Sequence, residues 1–404
     1  MIRQPLPWSS AAYWVLASHM VLGLFAFPRF AASIAGNGAP YVALGLVLFG
    51  ALILYSVLGL LSRFPGQTVV EIQRRVLGKP LTGVIHVLCS FLLTGILAAS
   101  HALFADLIAT AVLQRTPEMV IAFFAGLVAL YGAWHGPHTL TRTLQVLMPV
   151  SAFLLILAFL AAFLNARWLQ LIPHWTGVQA IGMGIWKESY TMLALYQLLI
   201  VFGWMDVRRA RPWAWGGYAV NSLILVLCLG ASIGALGVPL TAQSSWPAAL
   251  AIRMVTAPGF IVERFGYMVI LLWPIAHVLF QATLLLACSV GAVQSLGLSH
   301  RFLRPIMTAS MALSLLIASF FHNSTQVFFL LQRFGLPLVW ILILSVMWIT
   351  WGLAVLRKME GPPVEAWRAP QGWPEWAPPL GVPPGTTSMG RHVEGETRHR
   401  PPLG

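Results

Sequence analysis

Apolar residues in this chain come in long runs, separated by short stretches rich in Arg, His, Pro and Gly. Ten runs can be marked, at about 10–35, 40–62, 82–113, 118–134, 142–165, 178–204, 213–236, 260–296, 304–322 and 326–356. Most are near the ~20 residues that a helix needs to cross ~30 Å of hydrocarbon at 1.5 Å per residue. Barrel strands would be about half as long and would alternate in polarity, which these runs do not. The pattern predicts an all-α integral membrane protein of about ten transmembrane helices.

Two segments between the runs carry a helical pattern of their own. Residues 67–78, "QTVVEIQRRVLG", set Val69, Val70, Ile72, Val76 and Leu77 toward one side and Arg74 and Arg75 toward water. This predicts a helix lying along the cytoplasmic interface. Residues 246–256, "WPAALAIRMVT", open with Pro247 in a first-turn position and predict a short lid on the outer side. From Met359 onward the chain is dense in Pro and Gly, a composition expected to stay disordered. The expected organisation is a ten-span membrane domain at 1–357 and a cytoplasmic tail at 358–404.

Composition agrees with a membrane protein. The chain has 404 residues, of which 58% are hydrophobic and 9% charged, against about 25% charged in soluble domains. A formal charge of +13 raises the question of nucleic acid. Its Lys and Arg residues, however, are scattered in ones to threes between apolar runs, the arrangement of cytoplasmic loops and not of a basic groove. Most of them follow even-numbered runs: Arg63, Arg74, Arg75 and Lys79, then Arg142, then Arg208, Arg209 and Arg211, then Arg301 and Arg304, then Arg357 and Lys358. Arg115, Arg167, Arg253 and Arg264 fall on the opposite side. The charge bias therefore places both termini in the cytoplasm, as an even span count requires. Cys89, Cys228 and Cys288 all lie within apolar runs without paired spacing and read as small core residues. The first run is long and lacks a small-residue cleavage pattern, so it is expected to stay in the membrane.

Two runs are interrupted. The first contains "GLFAFP" at Gly23 to Pro28, followed by Arg29. Backbone left unpaired at membrane depth is tolerated only where protein or a water-filled cavity satisfies it, so this is either a packing kink or half of a binding site. The sixth run carries "WKESYTMLALYQ", with Lys187 and Glu188 followed by Ser, Tyr and Thr. Either this run starts late and both charges sit among headgroups, or they lie at depth and mark a site. On a helix the two point about 100° apart and do not pair with each other. Runs 1 and 6 each open a set of five, and an odd count inverts the second set relative to the first. Two inverted repeats, each opening with a broken helix, describe a transporter core whose substrate site lies between the breaks. Helix ends and unwound backbone there suit the carboxylate and ammonium of a small zwitterion.

The candidate ligand-binding residues are Gly23, Leu24, Phe25, His101, Tyr190, Met192, His277 and Gln281, with Asp106 and Glu188 as gate or ion contacts. Gly23 would let backbone approach the ligand and the phenylalanines would wall it. His19, His101 and His277 fall in spans that surround the site in such a core, although each can equally be a packing histidine. Gln281 and Thr283 can contact a ligand or join neighbouring helices. No nucleophile elbow, phosphate loop or metal spacing is present, so neither an enzyme nor a bound cofactor is expected.

Several local sequences resemble the spore germination permease family, the B subunits of nutrient germinant receptors, within the amino acid/polyamine/organocation superfamily. The likeness runs over about 8–357. It includes the glycine-to-proline break in span 1, "RFPGQTVVEIQRRVLGK" at Arg63 to Lys79, and "TPEMVI" at Thr116 to Ile121. The most specific block is "WPAALAIRMVTAPGFIVERFGYMVILLW" at Trp246 to Trp273, with Pro247, Arg253, Phe260, Glu263, Arg264 and Trp273 on the family's outer-loop pattern. The sequence departs from the family at "GNGAPY" after span 1, "GPHTLTR" after span 4 and "KESYTM" in span 6. The resemblance implies a LeuT-type fold with an inverted 5+5 repeat and broken helices 1 and 6. It also implies a sensor of a germinant such as an amino acid, in the inner membrane of a bacterial spore. That sensor works beside A and C subunits, and its response releases ions and dipicolinate. A proton- or sodium-coupled amino acid transporter would share fold and pocket, and the outer block favours the receptor.

Overall fold

The computed structural model describes residues 5–19, 23–255 and 265–361. Seven helical stretches among them are long and apolar enough to cross a bilayer: Phe27–Arg63, Lys79–Ala111, Gly136–Ala162, Val207–Gln243, Trp273–Leu296, His300–Ala318 and Ser324–Leu356. Glu118–Trp134 is apolar but shorter. The sixth predicted span is absent from this set because it is divided into short pieces, and the first enters it only through its second half, Phe27–Ala35, within the Phe27–Arg63 stretch.

In chain order, α1 (Ala11–His19) and α2 (Phe27–Ala35) form the divided first span. They are followed by α3 (Ala39–Arg63), α4 (Val69–Val76), α5 (Lys79–Ala111), α6 (Glu118–Trp134) and α7 (Gly136–Ala162). The sixth span is α8 (Val178–Glu188), a 3-10 segment (Ser189–Gln197) and the single turn α9 (Leu198–Val201). Then come α10 (Val207–Gln243), the short lid helix α11 (Pro247–Arg253), α12 (Phe265–Leu296) and α13 (Leu303–Ala318). The last span is α14 (Ser324–Leu330), α15 (Leu336–Leu344) and α16 (Thr350–Leu356), joined by π-helical turns at Leu331–Gly335 and Ser345–Ile349.

The core is built around α12, which packs against α1, α5, α6, α7 and α13, and around α10, which packs against α1, α2, α3 and α7. Without a hydrophobic drive between helices in lipid, close packing needs small residues. Gly217 supplies one such contact: a Cβ there would stand 2.8 Å from the Cα of Ala12, so only glycine lets α10 and α1 touch by their backbones. Leu48, Phe91, Phe124, Val146 and Phe153 face outward, as suits a lipid-facing band. Cys89, Cys228 and Cys288 are buried and free.

The amphipathic helix forms as α4, and its start is fixed by a capping box in which Glu71 accepts from the Thr68 amide at 2.8 Å. Val69, Val70, Ile72 and Val76 are buried. Arg74 is only partly exposed, where the pattern predicts a side chain turned to water. Its guanidinium donates to the carbonyls of Gln294 and Ser295 at the end of α12, where helical carbonyls lack partners and a cation is favoured. Past the expected domain boundary, Arg63 donates to the Met359 carbonyl and its own carbonyl accepts from the Gly361 amide, both at 2.9 Å. The expected disorder from 362 onward, and Phe260, Glu263 and Arg264 of the outer block, lie outside the described residues.

Candidate functional site

The break in the first span is a new helix start. α1 ends at His19, and Gly23 lies in the left-handed region at φ +76. The amides of Ala26 and Phe27 both donate to the Gly23 carbonyl, at 2.9 and 2.8 Å, and launch α2 from it. Pro28 falls in the first turn of α2, where its missing N–H costs nothing. A Cβ on Gly23 would lie 2.6 Å from Cε2 and 2.7 Å from the hydroxyl of Tyr190. The glycine is thus required both by its φ and by the ring against it, and the two broken spans meet at this point.

In the sixth span, the nine-residue 3-10 segment exceeds the three or four residues usual for this geometry, a sign of a functional hinge or of strain. Every residue from Glu188 to Gln197 is buried. Side chains hold the segment's start: Ser189 donates to the Trp186 carbonyl at 2.7 Å and accepts from the Trp340 indole at 2.8 Å. Thr191 donates to the Glu188 carbonyl at 2.9 Å. Several polar atoms remain unsatisfied. Glu188 accepts one long bond from Gln332 at 3.5 Å while its Oε2 has none. The Tyr190 hydroxyl, although close enough to the Glu188 carboxylate to interact with it, makes no hydrogen bond of good geometry. Neither amide atom of Gln197 has a partner. A buried polar group left unpaired costs about 1–3 kcal/mol, so such a cluster is where a ligand, ion or water gains most. Lys187 and Glu188 form no ion pair, in keeping with their divergent directions.

Above the Gly23 junction lies a cavity of about 10 Å³, room for roughly one water. It is lined by Gly23, Leu24 and Phe25 from span 1, Phe104 and its neighbours from α5, Trp273 and His277 from α12, and Trp246 from the lid. The aromatic rings close on one another: Phe25 meets Trp273 edge-on at 4.8 Å, and Phe104 stacks on His277 at 4.5 Å. Trp246 donates its indole N–H to Asp106 Oδ2 at 2.7 Å, and the Ala248 amide reaches the Phe25 carbonyl at 3.4 Å. The lid is therefore latched to α5 and to the start of α2.

The structure brings Gly23, Leu24, Phe25 and His277 around this cavity, with Tyr190 directly behind Gly23 and Glu188 beside Tyr190. Asp106 anchors the lid. Gln281 reaches the site indirectly, donating to Ser100 at 3.4 Å, while Ser100 in turn meets His277 Nε2 at 2.9 Å. His101 faces elsewhere, toward Gly126 of α6, and neither of its ring nitrogens has a partner. Met192 is turned toward Gly50 of α3. Thr283 bonds to its own helix, at the Phe280 carbonyl. Phe104, Trp246, Trp273 and Gln197 were not among the expected site residues. Ser100, Phe104 and Leu107 follow the i, i+4, i+7 spacing of one helix face, a signal that could have found Phe104. Among the described residues, no three His, Cys, Asp or Glu side chains converge to hold a metal.

The architecture is that of known transporters. MhsT in complex with L-phenylalanine matches with a TM-score of 0.62 at 16% identity, over 90% of this chain and 94% of that one. Mhp1, a nucleobase-cation-symport-1 family transporter in a closed conformation with bromovinylhydantoin bound, matches at 0.56 and 16%, over 84% and 78%. At such identities the likeness establishes the LeuT-type fold alone. In sequence, the chain is similar to spore germination protein B2 of Bacillus subtilis (strain 168), 19% identical over 344 residues that cover 84% of this chain and 92% of the relative. Spore germination protein YndE of the same organism is 23% identical over 220 residues, 52% of this chain and 59% of that protein. These are families of permeases and transporters and not of enzymes. The model of spore germination proteins matches residues 10–327, and the chain belongs to this spore germination permease family of multi-pass membrane proteins.

Proposed function

We propose that the chain is the germinant-sensing membrane subunit of a spore germination receptor, taking a small nutrient, most simply an amino acid, between its two broken helices. The observation that carries this reading is the contact of Gly23 with Tyr190 beneath a cavity shut by aromatic rings and a lid. The unwound backbone at Gly23 and the start of α2 offer amides and a positive helix end to a carboxylate. The Tyr190 hydroxyl and the Glu188 carboxylate, both with unsatisfied atoms, offer acceptors to an ammonium or a coupling cation. MhsT, complexed with L-phenylalanine, supports an amino acid as the kind of ligand this fold takes.

An amino acid occupies several times the ~30 Å³ of a water and cannot fit the closed cavity. Its entry must part Phe25 from Trp273 and release Trp246 from Asp106. A ligand shifts such an equilibrium only by its differential affinity for the two states, so the rearranged site is the one it must bind better. In this reading the rearrangement is passed to A and C subunits in the inner membrane of the spore, with both termini of this chain in the cytoplasm, and leads to ion release.

The alternative is a proton- or sodium-coupled amino acid transporter, favoured by the likeness to MhsT and Mhp1. Reconstitution separates the two. The purified chain in liposomes is expected to bind radiolabelled L-alanine weakly and to show no sustained uptake under a proton or sodium gradient. Robust gradient-driven uptake of any small L-amino acid would overturn the receptor reading and establish the transporter.

A further inference from the structure

Where α6 turns into α7, a groove of about 430 Å³ opens away from the bundle between these two helices and α12. Val128 and Tyr131, 57% and 69% exposed, form part of its rim. Its position follows from the turn. α6 ends at Trp134 and α7 begins at Gly136, whose φ of +82 helps reverse the chain, so the two helices run antiparallel from His135. Connections between spans lie at a bilayer surface, since hydrocarbon leaves their backbone unpaired. His135, Thr139 and Thr143 line the end of the groove at this surface, and Val128 and Leu147 line the end away from it. The groove thus runs from polar to apolar over seven residues of α6 and eight of α7, about 11–12 Å at 1.5 Å per residue.

The polar end is also basic. Arg142 stands on α7 one turn from Thr139 and is exposed, and Arg304, at the start of α13, lies over the Trp134 ring at 5.2 Å. Among the described residues neither forms an ion pair, and the sequence explains why: no Asp or Glu occurs from 119 to 187 or from 265 to 359. The one acid in α6, α7, α12 and α13 is Glu118, which begins α6 and lies at its opposite end. His135 is held in place by the Tyr131 carbonyl, which accepts from Nδ1 at 2.8 Å and so fixes a proton there.

We propose that this groove binds one anionic phospholipid, with an acyl chain along α6, α7 and α12 and the phosphate at His135, Thr139 and Arg142. Length selects the occupant. A chain from one leaflet spans about half of the ~30 Å hydrocarbon core, close to the reach of the groove, whereas a crossing helix needs apolar surface along the whole depth. Polarity sets the lipid's direction. Cations without an internal counterion select an anionic headgroup, whose phosphate a guanidinium holds by paired N–H bonds. The lipid lies on the reverse of the site wall: Trp273 and His277 of α12 face the closed cavity, while their neighbours Pro274 and Val278 face the groove. The inference does not depend on whether the chain senses or transports.

The test titrates the full chain, purified in a neutral detergent, with dioleoyl phosphatidylglycerol or dioleoyl phosphatidylcholine and counts bound lipid by native mass spectrometry. The first phosphatidylglycerol is expected to bind at least fivefold more tightly than the first phosphatidylcholine. That preference should vanish in His135→Gln/Arg142→Gln and survive in Arg142→Lys, which keeps the charge and guards against misfolding. Val128→Trp, which fills the apolar end from an exposed position, should weaken both lipids at least fivefold. Equal binding of the two lipids, a preference that persists in the double Gln variant, or binding unmoved by Val128→Trp would overturn the proposal. Inorganic phosphate that binds as tightly as phosphatidylglycerol would also overturn it, by assigning the cations to a free anion. So would a dimer that Val128→Trp abolishes, by assigning the groove to a second copy of the chain.

Discussion

Gly23→Ala is the sharpest probe of the junction between the broken helices. Two costs are separable in the structure. A left-handed residue at φ +76 gains about 1–2 kcal/mol of backbone strain once it carries a Cβ. That Cβ would also stand 2.6 Å from the Tyr190 ring, which is fully buried and cannot swing away freely, an overpacking worth about 1–3 kcal/mol. The expected loss is therefore roughly 2–5 kcal/mol, enough to lower thermal stability in detergent visibly. Two companions divide the sum. At Gly36, φ +52, a Cβ meets nothing within 4 Å, so Gly36→Ala carries strain alone. Tyr190→Leu removes the ring atoms in question, so the Gly23→Ala/Tyr190→Leu pair should recover the packing part, a coupling of about 1–3 kcal/mol in a double-mutant cycle. The assay is the midpoint of thermal unfolding followed by retention on size exclusion. A Gly23→Ala protein as stable as the parent, or a coupling of zero, would show that the spans do not meet here. The same geometry revises the simplest idea of this glycine: a side chain at position 23 meets Tyr190 before it can obstruct a ligand.

Other expectations follow from single contacts. Trp246→Phe removes the lid's 2.7 Å bond to the Asp106 carboxylate, worth about 1.5–3 kcal/mol, and should speed maleimide labelling of an Ala248→Cys reporter several-fold; an unchanged rate would mean that the latch does not hold the lid. Gln73→Leu leaves His86 Nε2 unpaired, while the Thr350 hydroxyl still donates to the Val346 carbonyl, and should cost about 1–3 kcal/mol of stability, checked by the same unfolding assay, with parental stability counting against the network. Glu188→Gln keeps the side chain's shape while removing a buried acid, so stability should hold or rise while amino acid affinity in calorimetry falls at least tenfold; unaltered affinity would remove Glu188 from the site.

The spans were legible because each crosses a bilayer once and hydropathy records that directly. The broken helices were legible too, Gly23 and Pro28 through residue type, and Glu188 through a charge that hydrocarbon does not tolerate. Side-chain direction was not. His101 and His277 are polar residues in equivalent settings along apolar helices, and only packing turns one toward the cavity and the other toward Gly126. Arg74 reads as a solvent-facing charge on an amphipathic helix until the carbonyls at the end of α12, more than 200 residues away, are brought against it. Phe104 and Trp273 were hidden among many apolar residues because an aromatic that walls a cavity and one that faces lipid look alike in sequence. Gln197 and Gln73 each follow a different logic: both are buried amides, and whether such a group is bonded within the protein or left for a ligand is a property of its neighbours.

The 3-10 segment connects the cavity to α4 and α16 and yields a last prediction, which rests on the proposed sensing role. Tyr190 and Tyr196 lie six residues apart, two full turns at three residues per turn, and so share one face. At the outer end Tyr190 packs on Gly23. At the inner end the Tyr196 hydroxyl meets His86 Nδ1 at 3.2 Å, while His86 Nε2 meets Gln73, which donates to Thr350 at 2.9 Å. This chain of bonds ties the segment to α4 and to α16. If ligand binding converts the segment to an α-helix, six residues at 100° in place of 120° turn one tyrosine by about 120° relative to the other, so both contacts cannot persist. The segment would also shorten, since nine residues rise about 18 Å in a 3-10 helix and about 13.5 Å in an α-helix. Spin labels at Met183 on α8 and Arg208 on α10, both exposed, bracket it. Saturating ligand should shorten their distance by about 4–5 Å, and Tyr196→Phe, which frees the inner end, should shift the ligand-free population the same way. A distance distribution that ligand leaves unmoved would show that the segment is a fixed part of the scaffold and that the signal leaves the site by another route.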